Sequence, residues 1–238
     1  MTIKAVFFDA AGTLIKPARR VGESYALMAR KYGIDASTAE IADAFRAHFS
    51  KAPPLAFPNA SHSEIDALER GWWKALVRNV FNATNGFDGF DEYFDELFTY
   101  FSQPESWTLY PEVVETLDRL KSRGISLDVI SNFDSRLITI LDGLGVRQWF
   151  DEVFISSRVG YAKPDRRIFE AALNSHRLSP DSALHVGDGL VNDFHGAIDA
   201  GLKGVLLDRG GEHDSIHSPR IASLKELLPL AGIQTAEY

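Results

Sequence analysis

Residues 3–14 of the chain read IKAVFFDAAGTL, an apolar run that stops at the carboxylate of Asp9. An uninterrupted apolar run of about four to eight residues is typical of a strand buried on both faces, as in a parallel sheet. An aspartate directly after such a strand either caps a turn or takes part in chemistry. We therefore predict a buried strand over residues 3–8, with Asp9 at its carboxyl end.

Four more runs of this kind follow along the chain, at residues 125–130, 153–155, 183–186 and 204–207. Helix-like segments alternate with them, at residues 111–123, 135–144, 165–175, 191–200 and 223–230. This alternation predicts an α/β fold with a doubly wound parallel sheet of the Rossmann-like type, connected by right-handed crossovers.

Residues 16–104 have a different pattern, because apolar residues recur there at the three-to-four spacing of helices. Four helices are predicted, at residues 21–32, 38–49, 64–81 and 91–101, and prolines 53, 54 and 58 interrupt the segment between the second and third. We therefore predict a helical cap domain over residues 16–104. It is inserted into a discontinuous core that comprises residues 1–15 and 105–238.

The composition excludes several classes of protein. The chain has 238 residues, a formal net charge of −8 and no cysteine, which excludes disulfide scaffolds, cysteine–zinc sites and thiolate nucleophiles. The acidic balance argues against a general nucleic-acid binder. No apolar run is long enough to span a bilayer, and the N-terminus does not resemble a secretion signal. We expect a cytoplasmic protein with neither nucleic-acid nor membrane partners.

Polar side chains follow successive strands of the predicted sheet, and they are Asp9, Ser131 with Asn132, Lys163, and Asp188 with Asp193. Ligands of open α/β sheets bind beyond the carboxyl ends of the strands, so we expect these residues to converge on one site. The carboxylates can hold a hard divalent cation such as Mg²⁺, and the hydroxyl and ammonium groups can hold a phosphoryl group. Asp9 either attacks as a nucleophile or only binds the metal.

The ordered motifs resemble those of the haloacid dehalogenase (HAD) superfamily over essentially the whole chain. They are residues 9–13 (DAAGT, against Asp-x-Asp-Gly-Thr in the family), Ser131, Lys163 before a proline, and residues 187–193 (GDGLVND). The helical insertion after the first motif resembles the type-one cap of that superfamily. Stretches such as residues 22–26, 57–59 and 131–134 are most similar to the branch that contains the rhythmically expressed gene product of insects and its vertebrate relatives.

The resemblance implies a metal and a nucleophile. It implies that Asp9 is the nucleophile and a Mg²⁺ ligand, and that the backbone carbonyl of Ala11 is a second ligand. Asp188 would bind Mg²⁺ directly, and Asp193 would act through the metal shell or orient Lys163.

The resemblance also implies a site for the transferring phosphoryl group of a small phosphorylated substrate. Ser131 and the neighbouring Asn132 amide would bind this group, and Lys163 would stabilise its negative charge. Thr13 would support the turn of the first motif.

One residue departs from the phosphatase pattern, because the second aspartate of the first motif is Ala11. In phosphatases of the superfamily this aspartate protonates the leaving group and then activates water, and such a group contributes about 10²–10⁴-fold in rate. The protein therefore has a leaving group that needs no proton, takes its acid from elsewhere, or is slow. His48, Lys51 and His62 are the candidate acids of the cap.

Four functions are compatible with this departure. The first is a Mg²⁺-dependent phosphohydrolase, and the second is a carbon–phosphorus hydrolase that forms an imine through Lys51 or Lys74. The third is a 2-haloacid dehalogenase, although those enzymes lack the metal, so the acidic set around Asp188 argues against it. The fourth is a weakly catalytic or non-catalytic binding protein on the same fold.

Two further expectations concern packing. The pair Trp72-Trp73 lies at helical spacing and is expected to pack between cap helices, with a substrate-facing position as the alternative. His185 lies in a predicted buried strand and is expected to be a satisfied core group.

Overall fold

The structure is a computed structural model that describes residues 2–81, 87–213 and 219–233. The strands of these ranges are β1 (Ala5–Phe8), β2 (Ile15–Pro17), β3 (Trp107–Leu109), β4 (Ser126–Ser131), β5 (Glu152–Ile155), β6 (Ala183–Gly187), β7 (Lys203–Leu207) and β8 (Arg220–Ile221). The α-helices are α1 (Val21–Ala29), α2 (Thr38–Phe49), α3 (Ile65–Val80), α4 (Phe90–Tyr100), α5 (Val113–Lys121), α6 (Arg136–Gly143), α7 (Ser156–Val159), α8 (Arg166–His176), α9 (Gly196–Asp199) and α10 (Leu227–Leu230).

The main sheet has the strand order β5-β4-β1-β6-β7-β8, and all of its neighbouring pairs are parallel. β1 lies between β4 and β6 and is buried on both faces. Val6 and Phe8 pack into the hydrophobic core on one face, and Ala5 and Phe7 pack into a second core on the other. This double burial explains why Ala5–Phe8 are all apolar, and the predicted doubly wound α/β fold is confirmed.

Some elements differ from their predicted form. The segment predicted as one helix over residues 191–200 is a π-helical turn, Leu190–His195, followed by the short helix α9. The last predicted helix is a 3₁₀ turn, Leu224–Glu226, followed by α10. The sequence did not predict β8 or the antiparallel pair of β2 and β3, in which Ile15 lies opposite Leu109 and Pro17 opposite Trp107.

The four helices between β2 and β3, which are called the cap below, have a hydrophobic core of their own. Tyr93 and Phe94 of α4 are fully buried there against Tyr25 of α1, Ile41 of α2 and Val77 of α3. These positions follow the three-to-four spacing of the sequence, since one face of each helix must be apolar to form this core. In the described ranges, no helix combines the length and apolar character that a membrane crossing requires.

Candidate active site

Asp9 lies at the carboxyl end of β1, in the middle of the main sheet. Its carboxylate is almost fully buried, and Oδ1 accepts hydrogen bonds from Ser131 Oγ at 3.1 Å and from Lys163 Nζ at 2.7 Å. Ser131 is the last residue of the adjacent strand β4. The structure therefore brings together the three residues that the sequence predicted as catalytic. Burial raises the pKa of Asp9 above its ordinary value, and Lys163 opposes that shift.

Lys163 is a buried cation in the loop between α7 and α8, with 4% of its surface exposed. Its ammonium donates to Asp9 Oδ1 at 2.7 Å, to Asp193 Oδ1 at 2.6 Å and to the carbonyl of Ile130 at 2.7 Å. Burial alone would lower the pKa of Lys163, but the carboxylates of Asp193 and Asp9 outweigh it and raise the pKa. Lys163 is therefore charged, and its three hydrogen-bond acceptors fix its position.

Asp193 holds Lys163 in place from the π-helical turn after β6. Its Oδ1 accepts from Lys163 and also from His185 Nε2 at 2.8 Å, and its Oδ2 accepts from the Gly189 N–H at 2.9 Å. Burial opposes ionisation of Asp193, but the positive charge of Lys163 and the hydrogen bond from His185 hold its pKa well below its ordinary range. This arrangement favours the role of orienting Lys163.

His185 differs from its predicted role as a satisfied core group. Its Nε2 contacts the site through Asp193, while its buried Nδ1 has no hydrogen-bond partner among the described residues. Burial lowers the pKa of His185, so the ring is neutral at neutral pH.

Asp188 completes a cluster of acidic groups, since one carboxylate oxygen from each of Asp9, Asp188 and Asp193 lies within 4.8 Å of the others. The Asp188 side chain is exposed, yet the surrounding protein atoms partly desolvate its carboxylate and raise its pKa to about 7. The negative charges of Asp9 and Asp193 add to this shift of the pKa. Gly12 has φ +93°, and a Cβ on it would lie 2.1 Å from Asp188 Oδ2. Only glycine fits this approach.

The donor set fits a divalent cation. Three carboxylates face one buried ammonium, so the cluster carries surplus negative charge when ionised, and oxygen is the ligand that Mg²⁺ prefers. The described residues donate no hydrogen bond to the carbonyl of Ala11, so this oxygen is free to serve as the further ligand that the resemblance implies. Asp9 and Asp188 are the more open carboxylates of the cluster, because both oxygens of Asp193 already accept protein donors.

Two other predicted site residues have structural contacts. The side chain of Asn132 donates to the Lys163 carbonyl at 2.8 Å and accepts from the Lys163 N–H at 2.7 Å, so it fixes the loop that carries Lys163. Thr13 is fully buried, and its hydroxyl has no hydrogen-bond partner among the described residues. The Thr13 side chain therefore contributes no hydrogen bond to the turn in which it was predicted to act.

A cavity of about 710 Å³ extends from the acidic cluster into the cap. Trp72 and Trp73 line it, which agrees with the substrate-facing alternative for this pair. The candidate acids and amines of the cap are absent from the lining that the described residues form, namely His48, Lys51, His62 and Lys74.

The sequence did not predict how the cap contacts the core. Glu69 of α3 is buried, and its Oε1 accepts from the N–H of Ser135 at 3.0 Å, from Ser135 Oγ at 2.8 Å and from Ser157 Oγ at 2.5 Å. Trp73 Nε1 donates to Asp134 Oδ2 at 2.5 Å. Burial raises the pKa of Glu69 above its ordinary value. A charged residue on an otherwise apolar helix face was the available signal, but its partners could not be identified from the sequence.

An α/β core with a helical insertion, an aspartate at the end of its first strand, and a lysine and further carboxylates beside that aspartate is typical of a class of hydrolases, and comparisons with known proteins agree. The sequence profile of the haloacid dehalogenase-like hydrolases matches residues 3–201, and the chain belongs to this family. The haloacid dehalogenase-like hydrolase domain-containing protein 3 of Mus musculus is 37% identical over 99% of this chain and 96% of that protein. The rhythmically expressed gene 2 protein of Drosophila melanogaster is 28% identical over 86% and 82%.

These relatives confirm the branch that the sequence motifs indicated. Among solved structures, the L-2-haloacid dehalogenase from Xanthobacter autotrophicus has a TM-score of 0.71 with 16% identity, over 98% of this chain and 100% of that chain. At this identity the likeness concerns the fold, which hosts more than one chemistry. The side chains of the site must therefore indicate the reaction.

Proposed function

We propose that the protein is a Mg²⁺-dependent phosphohydrolase that acts on a small phosphate monoester through an aspartyl-phosphate at Asp9. The observation that carries the proposal is the placement of Lys163, whose buried ammonium joins Asp9 to Asp193 while Asp188 faces the same point. Fixed positive charge at the position of a transferring phosphoryl group is the main requirement of phosphoryl-transfer catalysis.

Asp9 is suited to nucleophilic attack because only one of its oxygens is engaged. Both of its hydrogen bonds from described side chains end on Oδ1, so Oδ2 is left for the phosphorus atom or a ligand. Ser131 and Lys163 fix the carboxylate and lie where phosphoryl oxygens would bind. A bound Mg²⁺, held by Asp9, Asp188 and the Ala11 carbonyl, would neutralise the carboxylates and the phosphate charge.

The alternatives have less support from the same geometry. A carbon–phosphorus hydrolase needs an amine of the cap in the cavity, and neither Lys51 nor Lys74 is among the residues that line it; Lys74 instead pairs with Asp91 at 2.9 Å. A dehalogenase has no use for the surplus carboxylates of Asp188 and Asp193. A non-catalytic binding protein has no need for a charged lysine buried against the nucleophile.

The proposal is tested with p-nitrophenyl phosphate, whose leaving group needs little protonation. We expect turnover that requires Mg²⁺, that a chelator abolishes and that is lost in Asp9→Asn. Asp118→Asn is the matched control, because it makes the same change at an exposed residue of α5, and it should retain full activity. Turnover that persists in Asp9→Asn or in the presence of chelator contradicts the mechanism. Metal-independent release of chloride from 2-chloropropionate would favour the dehalogenase.

A further inference from the structure

The cap side of the cavity is a wall of aromatic rings. Phe49 is 46% exposed, and Trp72 and Trp73 are half-buried, so part of the surface of each ring is not packed in the core of the cap. Their ring centroids are 5.0–6.3 Å apart. Both indole N–H groups are already bonded, to the Pro53 carbonyl and to Asp134. Phe49 also stacks on Phe45, with ring centroids 5.4 Å apart. The wall therefore offers apolar aromatic surface and no free indole donor, which suits packing against another aromatic ring, whether stacked or edge to face.

The wall also offers no free charge to a substrate. Apart from Lys163 and the three aspartates of the acidic cluster, Arg136 is the one charged residue in the lining that the described residues form. Its Nε and Nη2 donate to the two carboxylate oxygens of Asp134 at 2.8 and 2.6 Å, and its guanidinium lies 3.9 Å from the ring centroid of Phe98. Since Asp134 neutralises Arg136, the part of the substrate that enters the cap has no charged partner there and should itself be uncharged.

Ala11 places a separate requirement on the same part of the substrate. Described residues of the cap contribute no Asp, Glu or His to the cavity lining. Tyr25 is the titratable residue that they do contribute, and burial raises its pKa, so its phenol is a poor replacement for the acid that is absent at position 11. The leaving oxygen must then depart as an anion. A phenolic oxygen has a pKa of about 10, against about 16 for a hydroxyl as weakly acidic as water, so an aryl oxide leaves far more readily than an alkoxide.

We propose that the substrates are aryl phosphates, in which an uncharged aromatic ring packs against the wall formed by Phe49, Trp72 and Trp73. This proposal rests on the phosphohydrolase function. The Asp9 carboxylate bonds to phosphorus as the P–O(aryl) bond breaks, and its electron pair leaves on the aryl oxide. Water then attacks phosphorus and the P–O(Asp9) bond breaks, which restores the carboxylate and gives dihydrogen phosphate. The aryl oxide takes one proton from this phosphate, so no protein acid is consumed.

Four compounds separate the contribution of the ring from that of the leaving group. They are phenyl phosphate, benzyl phosphate, acetyl phosphate and ethyl phosphate, each assayed for phosphate release with Mg²⁺. We expect kcat/KM for phenyl phosphate to exceed that for benzyl phosphate by at least about 100-fold, the lower range of a missing acid. We expect KM for phenyl phosphate to be at least about 10-fold below that for acetyl phosphate, because burial of a ring strengthens binding.

Two variants test the residues involved. Phe49→Leu should raise KM for phenyl phosphate about 2- to 10-fold, the range measured for aromatic pairs. Leu68→Ala is its control, since Leu68 is an exposed apolar residue of α3 outside the cavity lining. Ala11→Asp restores an acid for the leaving oxygen, so it should reduce the ratio of kcat/KM for phenyl phosphate to kcat/KM for benzyl phosphate.

The outcomes distinguish the two proposals. If none of the compounds, nor p-nitrophenyl phosphate, releases phosphate with Mg²⁺, the phosphohydrolase function is wrong. If Asp9-dependent hydrolysis occurs but KM is the same with and without a ring, or benzyl phosphate reacts as fast as phenyl phosphate, the aryl phosphate proposal is wrong and the phosphohydrolase stands.

Discussion

Replacement of Lys163 by methionine tests whether the buried ammonium serves both stability and chemistry. The substitution keeps an unbranched side chain but removes the donor of three hydrogen bonds, to Asp9, Asp193 and the Ile130 carbonyl. Two buried carboxylates then lose their cation, and loss of one partner of a buried ion pair costs about 3–5 kcal/mol. That is a large share of the roughly 5–15 kcal/mol of a typical domain. Turnover should fall by at least about 100-fold, because charge stabilisation of the phosphoryl group is lost.

Urea unfolding followed by circular dichroism at pH 7.5 measures the free energy of unfolding, and phosphate release measures turnover. Excess Mg²⁺ should restore part of the stability of Lys163→Met, since a cation bound to the native state alone stabilises it. It should not restore turnover. Lys203→Met, the same change at an exposed residue, is the control. A Lys163→Met protein that is within about 1 kcal/mol of the parent and retains turnover within about threefold refutes the reasoning.

Three further predictions follow from buried or missing carboxylates. Glu69→Ala removes the oxygen that accepts hydrogen bonds from Ser135 and Ser157, and it should lower the free energy of unfolding by about 2–3 kcal/mol. Glu69→Gln keeps an acceptor oxygen and should lower it less; equal losses in the two variants would contradict the role of that oxygen. Burial raises the pKa of Asp128 from 3.8 to about 6, so between these two pH values the native state holds a proton that the unfolded state has lost. The free energy of unfolding should therefore fall by up to about 3 kcal/mol from pH 4 to pH 6. Urea titrations of Asp128→Asn should show a smaller fall. Ala11→Asp should increase phosphate release from ethyl phosphate, since it restores an acid, and no increase would mean that protonation does not limit that reaction.

The sequence predicted the sheet well because each of its central strands is buried on both faces. That burial forces apolar runs such as residues 3–8, and it forces polar residues to begin where the strand meets the site. Asp9 and Ser131 could therefore be assigned to one point from the sequence, whereas Lys163, in a loop after α7, was assigned through its place before a proline in the motif that resembles the family. Gly12 has a separate reason for its place in the first motif, because a side chain at this position would collide with Asp188.

Features that depend on distant contacts could not be predicted. β2 and β3 are three residues each, and they pair only because the folded cap brings residues some ninety positions apart together. His185 has the sequence context of a core residue, and only the π-helical turn places Asp193 beside it. Trp72 and Trp73 have the spacing of packed residues, and the cavity beside them results from the way the whole cap lies over the sheet.

The pairing of β2 with β3 has a consequence for how such a protein can change over evolution. The two ends of the cap lie side by side and are hydrogen-bonded to each other, so the core receives the insertion through a single narrow ribbon. Insertions whose ends are close together are the ones that a domain tolerates best. Exchange of everything beyond the ribbon would leave the main sheet and the groups around Asp9 unchanged. The surface that contacts the organic part of the substrate can thus change while the residues that act on the phosphoryl group stay the same, whereas the requirement on the leaving group remains with Ala11 in the core.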